Sequence, residues 1–360
     1  MPDELLGSSA TELREYAASL GEPAYRGAQI YHAIYAERRF DFAAMSNLPA
    51  ALRGRLAETA RISLPRIARQ FISSDGSIRY LLSLDGGPSR PAQIETVFMP
   101  SESRQTICIS TQAGCAVDCH FCLTAQLGLI RNLTAGEIVG QVLIALAENS
   151  NSLTSQTNVV LMGQGEPLLN YEPTMAAVRI LLDANGVGLT PRHVTLSTSG
   201  IVPGIERLAN EPVRPKLAVS LNASTDEQRD AIMPINRKYS LETLLKACRN
   251  YPLRPWERLT FEYVLLGGIN DSAADARRVV RLLDRIRAKV NLIPWNPGAL
   301  PYHPPTTENV EEFRRVLNEK SVPVFIRYSR GQDVFAACGQ LALIETTSSS
   351  ASSLAPSDAP

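Results

Sequence analysis

From residue 106 onward the chain alternates short apolar runs with amphipathic ones, and that alternation dictates a parallel sheet. Strand-like runs occupy 106–110, 158–162, 193–196, 216–220, 259–265 and 290–294. Helical patterns fall between them at 135–147, 174–182, 205–209, 241–250 and 274–286, and a further helix at 309–318 precedes a strand at 322–328. Parallel strands need crossovers, and these are right-handed. Six such units predict an α/β fold, a partial (β/α)6 TIM-like barrel. Residues 1–66 read as a helical accessory domain, with apolar spacing of three and four at 9–20, 25–37 and 48–57. Residues 67–105 alternate like a β-hairpin extension leading into a barrel at 106–345, with turns at 73–76 and 86–88. The Ser/Ala/Pro-rich stretch 346–360 reads as a disordered tail.

Composition sets outer limits. Of 360 residues 44% are hydrophobic and 20% charged, with 36 basic against 36 acidic, which suits a globular chain and excludes a globally basic nucleic-acid binder. A neutral total still permits a basic face, and Arg53, Arg55, Arg61, Arg66 and Arg69 gather where the first two segments meet. No apolar run reaches the ~18 residues of a membrane span. The first fifteen residues carry acids and no apolar signal core, so the expected location is cytoplasmic.

Three of the six cysteines crowd into Cys115-Ala-Val-Asp-Cys119-His-Phe-Cys122, immediately after the first barrel strand. Thiolates are soft ligands for zinc or iron–sulfur clusters. Structural zinc usually takes four protein ligands in two spaced pairs. Three on one loop suit a [4Fe–4S] cube with one iron open, with zinc completed by His120 as the rival.

This C-x3-C-x2-C spacing resembles the signature of radical S-adenosylmethionine (SAM) enzymes. Further segments resemble the RlmN/Cfr-type RNA adenine methyltransferases: Ile94-Glu95-Thr96-Val97, Cys108 to Gly114, Arg131 to Thr134, Gly163-Gln-Gly-Glu-Pro167, Ser197 to Gly200, Ser220-Leu-Asn222, Met233 to Asn236, Pro294 to Pro297 and Ala336-Ala-Cys-Gly-Gln340. They run in order from about 94 to 340, and the Gly-Glu-Pro form is closer to the adenine C2 enzymes than to the C8 ones.

The resemblance implies a [4Fe–4S] cluster on Cys115, Cys119 and Cys122. Its open iron chelates SAM, and reductive cleavage yields a 5′-deoxyadenosyl radical. Gly165 and Glu166 are expected to meet the SAM amino group, and Ser197, Ser220, Leu221, Asn222 and Asn296 its carboxylate, ribose or adenine. Asn222 stands where a histidine is common in the family. The resemblance further implies that Cys338 takes a methyl group from one SAM, and that a second SAM generates the radical on that methyl. Adenine C2 is not nucleophilic, so a radical must make the bond. Cys108 is then the resolving thiol, closing a disulfide with Cys338, and Glu95 accepts the ring proton. Without the resemblance, Cys108 reads as a buried strand thiol, Glu95 as a hairpin surface charge and Cys338 as a small core residue.

The expected function is therefore methylation of adenine C2 in 23S rRNA and at position 37 of tRNAs, with two SAM per turnover. A flavodoxin- or ferredoxin-type donor supplies electrons to a monomeric enzyme. Two rivals are a C8-specific enzyme and a non-catalytic, metal-stabilised RNA-binding module. An activase or oxidoreductase acting without RNA is a further one, and would leave Cys338 unmethylated.

Overall fold

The computed structural model describes residues 2–84 and 91–343. The expected turn at 86–88 and the tail at 346–360 lie outside the described residues.

The N-terminal segment pairs strand β1 (Asp3–Glu4) in parallel with β2 (Ala60–Arg61) and sets helices α1 (Ala10–Ser19), α2 (Tyr25–Tyr35) and α3 (Ala50–Thr59) between them. Ser9 and Glu12 close a reciprocal capping box that starts α1. Leu13 and Ala17, Ile30 and Ile34, and Leu52 and Leu56 recur at helical spacing of four and bury their side chains. All of these except Ala17 join the same apolar cluster as the barrel helices. Contact is backbone to backbone: a Cβ on Gly136 would sit 2.3 Å from the Leu6 carbonyl oxygen.

Strands β3 (Arg66–Ile72), β4 (Ile78–Ser83) and β5 (Gln93–Pro100) are antiparallel. The expected hairpin is in fact a three-stranded wing of the main sheet, because β5 also pairs antiparallel with β6 (Gln105–Cys108), Val97 opposite Cys108. A small antiparallel ribbon, β7 (Gln112–Gly114) with β8 (Leu129–Asn132), then closes the base of the cysteine loop, with α4 (Leu123–Gln126) inside it.

After α5 (Ala135–Glu148) the chain alternates regularly: β9 (Thr157–Leu161), α6 (Tyr171–Leu182), β10 (Val194–Thr198), α7 (Val202–Ala209), β11 (Lys216–Ser220), α8 (Asp226–Ile232), α9 (Leu241–Asn250), β12 (Leu259–Leu265), α10 (Ala273–Leu282), β13 (Ala288–Pro294), α11 (Thr307–Glu319) and β14 (Val324–Ile326). The ten-stranded sheet runs β14-β13-β12-β11-β10-β9-β6-β5-β4-β3. Strands β6 and β9 to β14 are all parallel, so short β14 extends the expected six to seven. The sheet ends at β3 and β14 and does not close. Period-two alternation sorts its faces: on β12, Leu259, Phe261, Tyr263 and Leu265 bury in the outer core, while Thr260, Glu262 and Val264 line the cavities inside.

Candidate functional site

Function in a parallel β/α fold collects where the strands end. A cavity at that end is lined by Cys115, Cys119 and Cys122, by Gly165 and Glu166 after β9, by Ser197 on β10, by Ser220 and Asn222 at the end of β11, by Asn296 after β13, and by Cys338. The structure thus brings together side chains from five strand ends and the C-terminal segment. Leu221 is not among them. It is fully buried, its amide donates to the Glu262 carbonyl at 2.9 Å and its own carbonyl accepts from Arg229 at 3.1 Å.

The polar groups of this cavity differ in what they have left to offer. Glu166 is buried and accepts from the Ser199 amide at 2.6 Å, the Ser199 hydroxyl at 2.7 Å and the Leu168 amide at 3.0 Å. Burial raises its pKa, and the Ser199 bonds counter part of that. Asn222 accepts from the Val264 amide at 2.8 Å and points its NH2 at the Met233 sulfur, 3.3 Å away. Its φ of 55° lies in the left-handed region, which asparagine tolerates better than most residues. Asn296 donates to the Cys338 carbonyl at 3.2 Å and accepts from Gln332 at 2.9 Å. By contrast, the half-buried hydroxyls of Ser197 and Ser220 make no hydrogen bond to another side chain or amide among the described residues. Gly165 is held at φ 100°, and a Cβ there would stand 2.7 Å from the Gln112 nitrogen, so the turn requires glycine.

Cys338 is exposed at the wall of the cavity. Its loop is pinned on both sides: Leu123 donates its amide to the Gly339 carbonyl at 2.8 Å, Thr124 its hydroxyl to the Leu341 carbonyl at 2.6 Å, and Gln340 its amide to the Pro297 carbonyl at 2.8 Å. Surrounding protein, with Glu262 and Cys122 nearby, pushes its thiol up to about 11. Cys108 is buried on β6 and lines a second cavity that Cys338 also borders. Burial raises the Cys108 pKa, and proximity to Cys338 raises it further. Cys248 is buried on α9, outside both cavities.

Glu95 lines neither cavity. It is wholly buried in an ion pair with Arg79, and the Leu343 amide donates to its Oε2 at 3.0 Å. It is not the surface charge that alternation suggests. The carboxylate facing both cavities is Glu262, which the sequence reading missed. Its signal was a lone acid within the buried run Phe261-Glu262-Tyr263. Arg229 was missed as well. It is wholly buried and donates to the carbonyls of Ser199, Ser220 and Leu221, tying two strand ends together beneath Cys119.

Burial pushes Glu262 up to about 7, against relief from Asn291, Arg327 and Lys289. Between the ordinary carboxylate range and that value, the folded chain holds a proton that the unfolded chain releases. The residue's contribution to stability therefore falls as pH rises through that window. Glu262→Gln should remove this slope. Its melting temperature gains on the wild type between about pH 5 and pH 8, and a gap independent of pH contradicts the assignment.

Comparison with known proteins decides the family. The Radical SAM superfamily matches residues 109–282, and the ribosomal RNA large subunit methyltransferase N-terminal domain matches 3–62. A probable dual-specificity RNA methyltransferase RlmN of Koribacter versatilis is 49% identical over 89% of this chain and 96% of its own. The dual-specificity RNA methyltransferase RlmN of Anaeromyxobacter dehalogenans is 47% identical over 92% of this chain and 89% of its own. The chain belongs to the RlmN family. A crystal structure of a radical SAM methyltransferase from Sphaerobacter thermophilus has the same fold, with a TM-score of 0.88, 44% identity, and coverage of 94% of this chain and 99% of that one.

Radical SAM enzymes use SAM and a [4Fe–4S] cluster, and the RlmN-family residues here suit both. Three thiols share one cavity wall, and burial pushes Cys115 up to about 12 with Cys119 also raised, a cost that metal ligation removes. Among the described residues no three ligating side chains converge on a single-ion site. His120 holds its Nδ1 2.8 Å from the Ala231 carbonyl and does not line the cavity that the three cysteines share, so it is not placed to complete a zinc set with them. Three thiols on one loop, without a fourth protein ligand among the described residues, suit a [4Fe–4S] cluster that leaves one iron open. The unspent hydroxyls of Ser197 and Ser220 fit a polar nucleoside ligand.

Proposed function

We propose that this chain methylates C2 of adenine in 23S rRNA, with adenine 37 of tRNAs as a second substrate, in the cytoplasm and as a monomer. One observation carries the reading: the three-cysteine loop, the strand-end polar groups and Cys338 border a single cavity. Cys115, Cys119 and Cys122 would hold the cluster, and Gly165, Glu166, Ser197, Ser220, Asn222 and Asn296 would surround SAM. When bound, the two groups supply an electrophilic methyl and a hydrogen-abstracting radical, driven by a flavodoxin- or ferredoxin-type donor.

The chain's own residues then divide the work. Cys338 sheds its proton and accepts a methyl group while Asn296, Gln340 and Leu123 hold its loop. A carbon radical on that methyl can add to a ring position that no electrophile attacks, which leaves the base joined to Cys338. The adduct gives up its ring proton and returns its unpaired electron to the oxidised electron carrier. Cys108, as a thiolate, then attacks the Cys338 sulfur, forming a disulfide as the sulfur–carbon bond breaks. The electron pair left on the carbon takes up a proton to complete the methyl group. External thiols return the pair to the reduced state. Glu95 is the expected acceptor of the ring proton. Reaching the base requires the segment around Leu343 to lift from it.

Cys108→Ala leaves the crosslink unresolved, so a protein–RNA adduct should build up on denaturing gels under anaerobic turnover. A clean product profile equal to wild type removes Cys108 from the mechanism. The function itself is tested by anaerobic assay of the reconstituted protein on ribosomal and transfer RNA, digested to nucleosides for mass spectrometry. The expected product is 2-methyladenosine. Finding 8-methyladenosine, or no methylated adenosine, overturns the reading.

A further inference from the structure

The barrel interior holds a second cavity of 620 Å³, within the range that takes a nucleotide-sized ligand. Closed barrels of this kind fill their interior with layers of Val, Ile and Leu. Here the inward positions carry cations instead. Lys216 opens β11, Lys289 lies near the start of β13, Arg192 precedes β10, Arg104 precedes β6 and Arg327 follows β14, and all five line the cavity. The two lysines are half-buried and are two of only five in the chain.

None of the five cations has an acidic partner within ion-pair distance among the described residues, whereas neighbouring Arg330 is paired with Asp75 at 3.3 Å. Arg192 lies over the Trp256 ring at 4.2 Å, and Arg327 donates to the Asn291 side chain at 3.2 Å. The lysines repel instead of compensating one another. Burial lowers both pKa values; Lys289, Arg192 and Arg327 lower Lys216 further against relief from Glu257, and Arg327 lowers Lys289 against relief from Glu262. Glu262 is the acid that shares this space, with Asn291 donating to it at 2.9 Å. Burying like charges together costs free energy unless an anion joins them.

The arginines expected to meet phosphates lie elsewhere and are already engaged. Arg53 donates to the Ala43 carbonyl, Arg55 pairs with Glu22 at 2.6 Å and Arg61 with Glu4 at 3.3 Å. Among the described residues the five cations inside the barrel pair with no carboxylate, and their cavity meets the cysteine-lined one at Cys338, Glu262, Met162 and Ile293. Cys108 opens only onto the cationic side.

We propose that Cys338 is the wall between two reagent chambers: SAM approaches its sulfur from the cysteine-lined cavity, and the RNA strand from the cationic one, with Lys216, Lys289, Arg192 and Arg327 holding phosphates that flank the target adenine. This rests on the reading of the chain as an RNA methyltransferase. It also explains why the resolving thiol stands on the RNA side, where the crosslinked base would lie.

The test titrates the cluster-loaded protein with a fluorescein-labelled RNA stem-loop carrying an unpaired adenine, over a series of KCl concentrations. For the double variant Lys216→Gln/Lys289→Gln, the slope of log affinity against log salt should flatten by about 0.7 to 0.9 for each phosphate that is no longer neutralised. Lys289→Arg should restore its share, and Lys320→Gln, at the exposed end of α11, should match wild type. Lysine acetylation of the wild-type protein supplies a readout independent of variant folding. RNA should protect Lys216 and Lys289 from acetic anhydride, as read by peptide mass spectrometry, and SAM alone should not. An unchanged slope in a folded double variant, or lysines labelled equally with and without RNA, overturns the proposal. If the wild-type protein still methylates RNA in that case, only the chamber assignment falls. If it neither binds nor methylates RNA, the functional reading fails with it.

Discussion

Cys338→Ala eliminates methyl transfer to RNA, by at least ~10³-fold, while the protein still binds its cluster and SAM. The expectation follows from where the residue stands. Its side chain is exposed on a wall shared by the two cavities, and its loop is fixed by hydrogen bonds from Asn296, Leu123, Thr124 and Gln340. A small packing cysteine would be buried and would lose about 1 kcal/mol of stability on truncation, with activity intact. The carrier role predicts the opposite, with melting temperature near wild type and no methylated nucleoside. Intact-protein mass spectrometry supplies the second readout: wild type exposed to SAM gains one methyl on Cys338, and the variant gains none there. Normal methylation of RNA by Cys338→Ala removes the carrier mechanism outright.

Cys119→Ala has an equally large effect through a different cause. It removes one of three thiolates from a loop closed by the β7–β8 ribbon, and no other cysteine, aspartate, glutamate or histidine among the described residues completes a metal-holding group in its place. Iron should fall far below about four per chain after anaerobic reconstitution, with the charge-transfer absorbance of the cluster abolished. RNA binding should persist, because the cations of the second cavity are untouched. A variant that keeps full iron and full SAM cleavage shows that Cys119 is no ligand.

How much of the molecule is legible in its sequence depends on the kind of pattern involved. Strands such as 216–220 and 259–265 announce themselves because apolar residues recur at every second position, as at Leu259, Phe261, Tyr263 and Leu265. Helix α8 escapes notice because Asp226–Ile232 is almost wholly polar and carries no apolar stripe. The cysteine loop is legible because ligand spacing is local in sequence. Glu262 and Arg229 are not, since neither a lone acid in the run Phe261-Glu262-Tyr263 nor one arginine in a polar helix reveals its direction or its partners. The same holds for the barrel lysines. Lys216 and Lys289 are 73 positions apart, and only the closeness of strands β11 and β13 to a shared interior unites them. Glu95 shows the limit in the other direction: a motif singles it out in the chain, while tertiary packing sets Arg79 and Leu343 against it. The pairing of Arg55 with Glu22 in the expected arginine patch is likewise invisible to composition.

The most direct test of the central claim follows the first methyl group. Protein is incubated anaerobically with unlabelled SAM and no RNA, desalted, then given RNA, reductant and SAM carrying a trideuterated methyl, and sampled within one turnover. If Cys338 carries the methyl, the first equivalent of 2-methyladenosine is free of deuterium and the label appears only in later turnovers. Deuterium in that first equivalent would mean that the methyl never resided on the protein, and the account would be wrong.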